Sequence, residues 1–190
     1  MRRIALFSLL LAMPALAAAP AREAFGNAHV TLMARMQAGA GEPRLAELDV
    51  WADGTRLRAR VRGEPESGEF WIDGLDSAAL WIVGGKSETP KRRTFAHALQ
   101  LSLASAALPA HGNTDRIAGR PCRIVTERLS TSVTMTRCLW RGLPLSVELQ
   151  AKGFSFNAGA MLVEEGTVTP ADLQPPAGAP AAPESMSAGR

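Results

Sequence analysis

Residues 45–62 read LAELDVWADGTRLRARVR, and this stretch decides the fold. Apolar and polar residues alternate on both sides of Asp53-Gly54, which is typical of two half-buried antiparallel strands. Asp-Gly between two such runs favours a two-residue type I′ turn, because that turn needs positive φ at both central positions. The sequence therefore predicts a β-hairpin that turns at Asp53-Gly54.

This turn predicts a register in which apolar residues pair on one face and opposite charges pair on the other. The expected apolar pairs are Val50–Leu57, Leu48–Ala59 and Ala46–Val61. The expected pairs on the outer face are Asp49–Arg58, Glu47–Arg60 and Trp51–Arg56. A row of arginines at positions 56, 58, 60 and 62 could bind an anion, but cross-strand neutralisation favours an ordinary solvated face.

The same alternation recurs along the chain and predicts further strands of an antiparallel sheet. It is found at residues 29–36, 69–73, 78–83, 121–129, 133–140, 145–152 and 154–169. Residues 94–108 break this period, because they are rich in Ala and Leu and lack β-branched residues after Thr94. They predict a helix that ends before Pro109 and packs its apolar side against the sheet.

Two cysteines, Cys122 and Cys138, fall within a predicted hairpin that turns near Ser130-Thr131. In the expected register the two cysteines lie directly opposite each other, Val125 faces Met135 and Arg123 faces Arg137. An even cysteine count in an exported chain predicts a structural disulfide. A redox-active pair is the less favoured alternative, because there is no Cys-x-x-Cys motif.

The N-terminus has the layout of a secretory signal peptide. Arg2-Arg3 precede the apolar residues 4–13, and small residues follow at 15–19. We therefore expect a signal peptide at 1–21, a single domain at 22–173 and a disordered Pro/Ala-rich tail at 174–190. The protein is expected in the periplasm or outside the cell. The first cysteine is Cys122, so no lipid-anchor cysteine is expected, and no later run reaches the ~18 apolar residues of a membrane helix.

The sequence offers little for catalysis, metal binding or nucleic acid. His29, His97 and His111 show no metal-ligand spacing, and there is no nucleophile elbow, phosphate loop or dinucleotide fingerprint. Loss of Arg2 and Arg3 lowers the formal charge from +3 to +1, so charge does not indicate a nucleic-acid partner. We expect no enzyme activity, no cofactor, no metal and no transmembrane segment.

Four phrases of this chain together resemble a known family. They are VWADGTRLR at 50–58, IAGRPCRI at 117–124, CLWRGLPL at 138–145 and VTPADLQPPAG at 168–178. They resemble the LolA/LolB-like superfamily of envelope lipoprotein carriers, and especially an uncharacterised-domain family related to it. The resemblance implies a mainly β (α+β) fold, in which a curved antiparallel sheet forms an unclosed β-barrel and one or more helices cover its concave face. Leu173 departs from the family, which commonly has an aromatic residue there.

The resemblance implies a soluble exported envelope protein that binds or carries a lipid, a lipoprotein acyl chain or another apolar ligand on the concave face. The alternative is a structural or interaction module of the envelope with a filled core and no ligand, whose partners would be envelope proteins. The predicted cavity wall is Leu48, Val50, Leu57, Ala59, Val61, Val125, Met135, Leu145, Val147 and Leu149. The predicted helical lid contributes Phe95, Leu99 and Leu103.

Overall fold

The computed structural model describes residues 23–63, 68–73, 80–83, 86–88, 95–103, 112–175 and 177. The predicted signal peptide, His111 and most of the predicted C-terminal tail lie outside these residues. The described strands are β1 Phe25–Ala38, β2 Arg44–Gly54, β3 Arg56–Arg62, β4 Gly68–Asp73, β5 Leu80–Val83, β6 Lys86–Glu88, β7 Thr114–Ile117, β8 Arg120–Ser130, β9 Val133–Trp140, β10 Leu143–Ala151 and β11 Phe154–Glu165. One α-helix, α1 at Phe95–Leu103, and one 3₁₀ helix, η1 at Pro170–Leu173, complete the described part.

The strands form one antiparallel sheet in the order β6-β5-β4-β3-β2-β1-β11-β10-β9-β8-β7. The first and last strands of the chain, β1 and β11, pair in its middle, and β6 and β7 lie at opposite ends. The sheet is therefore unclosed, and the predicted mainly β fold with a helix on an unclosed antiparallel sheet is confirmed. The short strands β6 and β7 were not predicted. No helix in the described ranges has the length and apolar character needed to cross a membrane.

Alternation along the strands separates a buried face from an outer face. In β1 the side chains of Ala28, Val30, Leu32, Ala34 and Met36 are buried, and those between them are more exposed. Buried apolar residues of β2, β3, β10 and β11 join the same cluster. The side chains Ala98, Leu99 and Leu103 of α1 belong to this cluster as well, so the helix covers the buried face. Burial of each large side chain contributes about 1.5–3 kcal/mol to stability.

The β2–β3 hairpin exists, but its turn lies one residue later than predicted, and the predicted register is therefore wrong by two residues. Asp53 pairs with Arg56, so the turn residues are Gly54 and Thr55, and Val50 faces Ala59. Gly54 has φ of +61°, whereas Thr55 has no positive φ. Glycine therefore fills the first central position of a type II′ turn, and a turn of the same length forms one step later. Because a shift of two residues preserves the face of every side chain, the predicted buried set is unchanged.

The β8–β9 hairpin shows the same two-residue error. Ile124, not Cys122, lies opposite Cys138, and Val125 faces Arg137 rather than Met135. The chain turns at Thr131-Ser132, one residue later than predicted, and the register shifts between Arg128 and Ser130. The predicted Arg123–Arg137 pairing is therefore also wrong.

The predicted disulfide is confirmed, but its two cysteines are not directly opposite each other in the β8–β9 pair. Cys122 and Cys138 are bonded, and their Cα atoms are 5.3 Å apart. The bridge runs diagonally across β8 and β9, since the residue opposite Cys138 is Ile124. The two-residue shift keeps both cysteines on one face, which is why the bond still forms.

Candidate functional site

The predicted cavity wall lies almost entirely within one closed apolar cluster. Its members in that cluster are Leu48, Val50, Leu57, Ala59, Val61, Leu99, Leu103, Met135, Leu145, Val147 and Leu149, and each is at most 4% exposed. The side chain of Phe95 lies outside the described part of the chain. The structure thus brings the wall and the described lid residues together as packed neighbours, with little of their surface left to solvent.

Val125 stands apart from that cluster. It is buried, but it packs with Leu139 in a separate small group. Its directly opposed neighbour is Arg137, and opposed residues of an antiparallel pair share a face. A guanidinium therefore interrupts the apolar surface at the position where the sequence predicts continuity between Val125 and Met135.

Arg137 of β9 forms a hydrogen bond that connects α1 to the sheet. Its side chain is 2% exposed, and Nη1 donates a hydrogen bond of 3.0 Å to the carbonyl oxygen of Ser102 in the last turn of α1. Nη2 donates to the carboxylate of Glu127 on β8. Burial lowers the pKa of Arg137 below its usual value, and the charge of Glu127 opposes that shift. These two contacts connect α1 and β8 through one side chain of β9.

An open groove lies beside α1, where several strands of the sheet begin or end. The β8–β9 and β10–β11 turns return to the same end because their strands are antiparallel neighbours, and α1 packs on β10 above them. The groove has a volume of about 560 Å³. Its lining is His97, Ala98, Leu101, Leu129, Ser130, Ser132, Val133, Leu149, Ala151, Lys152 and Phe154.

Of the predicted cavity residues, Leu149 lines this groove. The apolar lining residues Ala98, Leu101, Leu129, Val133, Ala151 and Phe154 were not predicted. Leu101 carried a usable signal, because it follows Ala98 by three residues and therefore shares its helix face. Val133 and Phe154 begin their strands and Ala151 ends its strand, so only the side-by-side arrangement of two turns brings the three together.

The outer face carries the predicted arginine row, and it is largely neutralised. Arg58 makes a forked contact with Glu69, at 2.9 Å and 3.2 Å, and Arg60 contacts the same carboxylate. Arg62 binds the carboxylates of Glu47 and Asp49. The predicted partners Asp49–Arg58 and Glu47–Arg60 are wrong because of the register shift. The ordinary reading of this row as a charge-paired surface fits these contacts better than an anion site.

Trp51 occupies the centre of the outer face. The ring of His29 stacks on it at 4.8 Å between centroids, nearly parallel, and the guanidinium of Arg58 lies 4.9 Å from its centroid. Trp51 therefore makes a cation–π contact with Arg58, whereas the predicted register paired it with Arg56. The ring nitrogens of His29 contact Glu164 and Asp49 at 2.9 Å and 3.2 Å. Within the described residues, no group of three or more His, Cys, Asp or Glu side chains is arranged to hold a metal ion.

The segment after β11 folds back over this outer face, and we call residues 166–175 the strap. Val168 and Leu173 of the strap are buried. The side-chain amide of Asn27 holds Val168 by two hydrogen bonds, of 2.9 Å and 3.1 Å, to its carbonyl and its N–H. Arg58 donates to the carbonyl of Asp172 at 3.2 Å. Leu173 is therefore a buried apolar anchor of the strap.

Several solved structures are similar to this chain, and three of them are described here. A LolA superfamily protein from Nitrosomonas europaea has 9% identity and a TM-score of 0.46, over 79% of this chain and 90% of that one. A lipoprotein-sorting protein domain of the outer membrane from Vibrio parahaemolyticus has 11% identity and a TM-score of 0.42, over 78% and 89%. MucB, in complex with MucA(peri), has 20% identity and a TM-score of 0.41, over 78% and 55%.

The sequence comparisons found no such similarity. No family model matches the chain, and no curated protein matches it. Because all three TM-scores lie below 0.5, this chain's own residues must carry any inference about its function.

Proposed function

We propose that this protein is a soluble exported protein of the cell envelope that binds or carries a lipid, a lipoprotein acyl chain or another apolar ligand. The groove beside α1 is the observation that carries this proposal. Its volume of about 560 Å³ falls in the range of small-molecule sites, roughly 300–1,000 Å³. The disulfide between Cys122 and Cys138 supports residence in an oxidising compartment.

The walls of the groove suit an aliphatic chain. Ala98, Leu149 and Phe154 are buried and face it, and Leu101 and Val133 are half-buried beside them. Transfer of each methylene from water to such a surface contributes about 0.8 kcal/mol. A chain of several methylenes therefore offsets part of the cost of association without any new polar contact.

Filling the groove tests the proposal. We expect Leu101→Trp to weaken the binding of a fluorescent fatty-acid probe at least about tenfold, because the indole would occupy the space of the ligand. Leu162→Trp is the matched control, since Leu162 is 50% exposed on the outer face of β11. Native mass spectrometry of the freshly purified protein should show bound lipid. Equal probe binding by both variants and the parent protein would place the ligand elsewhere.

The alternative is an envelope interaction module with a filled core. The observation that favours it is the tight burial of the predicted wall, where Leu48, Ala59 and Leu145 have no measurable exposure. Such a surface has no room for a ligand unless the cluster opens. A protein that carries no lipid in native mass spectrometry and binds no apolar probe would support this reading and contradict the first.

A further inference from the structure

The groove beside α1 changes its chemistry from its floor to its mouth. Ala98, Leu149 and Phe154 form a buried apolar floor, at 1%, 2% and 8% exposure. The mouth is formed by exposed polar residues, Ser130 and Lys152 among them. The site therefore suits a ligand that has an apolar part for the floor and a polar part for the mouth.

The mouth of the groove carries a positive charge. Lys152 is the one charged residue, and no Asp or Glu occurs, among the described residues that line the groove. Ser130 and Ser132 add hydroxyl groups on the neighbouring turn. Both the ammonium group and the hydroxyls donate hydrogen bonds, and the ammonium group cannot accept one. An anionic group is the complement of this set.

The turn that carries Lys152 places it next to the apolar wall. Ala151 pairs with Phe154, so Lys152 and Gly153 form a two-residue turn between two groove residues. Gly153 has φ of +68°, which glycine adopts without strain. The lysine stem can lie along the apolar edge while its charged end stays in water at the mouth.

We propose that the groove binds a single-chain anionic amphiphile, a fatty-acid carboxylate in its simplest form. The chain lies against Leu149 and Phe154, and the carboxylate meets the ammonium group of Lys152 at the mouth. This inference rests on the proposed function and names the class of its apolar ligand. A neutral head group would gain less at this mouth, and a cationic one would be repelled.

Amphiphiles that share a chain and differ in head group test the inference. Dodecanoate, dodecyl maltoside and dodecyltrimethylammonium are titrated against the folded protein by calorimetry, below their micelle concentrations. We expect dodecanoate to bind about tenfold more tightly than the cationic amphiphile, with the maltoside between them. The preference should shrink as salt is raised, because the contact is solvent-exposed.

Variants of Lys152 test whether this residue causes the preference for an anionic head group. Lys152→Gln should weaken dodecanoate binding by about three- to fivefold, the scale of an exposed ion pair, and leave the maltoside unchanged. Lys152→Arg should retain the preference. Arg116→Gln is the matched control, because Arg116 is an exposed cation beside the β7–β8 turn, at the other end of β8. The melting temperature of each variant checks that it is folded.

The outcomes separate the two proposals. If all three amphiphiles bind equally, or if Lys152→Gln changes nothing, the head-group inference is overturned while apolar binding stands. If none of the three binds, the proposed function itself fails, and this inference fails with it.

Discussion

Gly54 occupies the first central position of the β2–β3 turn with φ of +61°. A Cβ atom at this position would meet nothing within 4 Å, so any cost of substitution comes from the backbone conformation alone. We expect Gly54→Val to destabilise the protein by about 1–2 kcal/mol, because a β-branched residue resists the left-handed region. Thermal unfolding measures this, at roughly 2–4 °C per kcal/mol for a domain of this size.

Gly159 provides the matched control for that change. A Cβ atom there would also meet nothing within 4 Å, and its φ is not in the left-handed region. Gly159→Val should therefore leave the melting temperature unchanged or raise it, since valine suits a strand. Equal destabilisation by both substitutions would contradict the conformational explanation for Gly54.

Arg137 shows where reasoning from sequence fails at a single residue. Alternation places Arg137 on the same face as Met135, but a charged residue is expected to leave that face for solvent. It stays buried because the carbonyl of Ser102 accepts a hydrogen bond from Nη1 and the carboxylate of Glu127 accepts one from Nη2. The contact to Ser102 depends on where α1 crosses the sheet, and the local pattern holds no information on that.

At the scale of the elements, strand positions and buried faces were predictable, whereas registers were not. Both analysed hairpins, β2–β3 and β8–β9, shift by two residues from the predicted pairing. Period-two alternation fixes which side chains share a face, and a shift of two leaves that unchanged. The choice between turns of equal length rests on the backbone conformation of one or two residues, such as Gly54. The cross-strand partners of the arginines were wrong for this reason.

A substitution in α1 tests whether the buried face of the sheet is a filled core or contacts a ligand. Leu99 is 2% exposed within the main cluster, so Leu99→Ala should cost about 2–5 kcal/mol in a filled core. We expect a loss in this range by chemical denaturation, with probe binding at the groove retained. The control is Leu45→Ala, because Leu45 is 61% exposed and should be nearly neutral.

Other results for this helix variant would revise the proposal. A small loss of stability together with a clear change in probe affinity would mean that Leu99 itself contacts the ligand. A large loss in a protein that binds no probe would support the filled-core module instead.

At the scale of the whole molecule, the stability of the fold depends on whether the protein is in an oxidising compartment, because the disulfide forms only there. Cys122 and Cys138 are 16 residues apart, and on the chain-entropy model their bond contributes about 3 kcal/mol. We expect unreduced, denatured protein from an oxidising compartment to show no free thiols on titration. Reduction should lower its stability by about that amount. Two reactive thiols in the unreduced protein would contradict the assignment.

The general architecture was predictable, and the candidate site was not. Alternating strands, one helix and a disulfide follow from local patterns that each extend over several residues. The groove is formed by the ends of α1, β8, β9, β10 and β11, which meet only in the finished sheet. Its polar mouth contains turn residues such as Ser132 and Lys152, and turns carry no periodic signal. Leu149 was predicted because it belongs to the apolar set of an alternating strand, and that strand also contributes to the core.

The pairing of β1 with β11 joins the two ends of the chain, and we expect this to affect the order in which the sheet forms. Strands β1–β6 can pair with their sequence neighbours, and so can β7–β11, but the joint between the two groups waits for the final strand. Contacts between such distant parts of a chain form slowly, so this joint should set the pace of folding. Until it closes, β1 and β10 each present an unpaired edge near the centre of the future sheet. A chain that stalls before β11 is complete would therefore be most prone to aggregate through what later becomes its best-protected region.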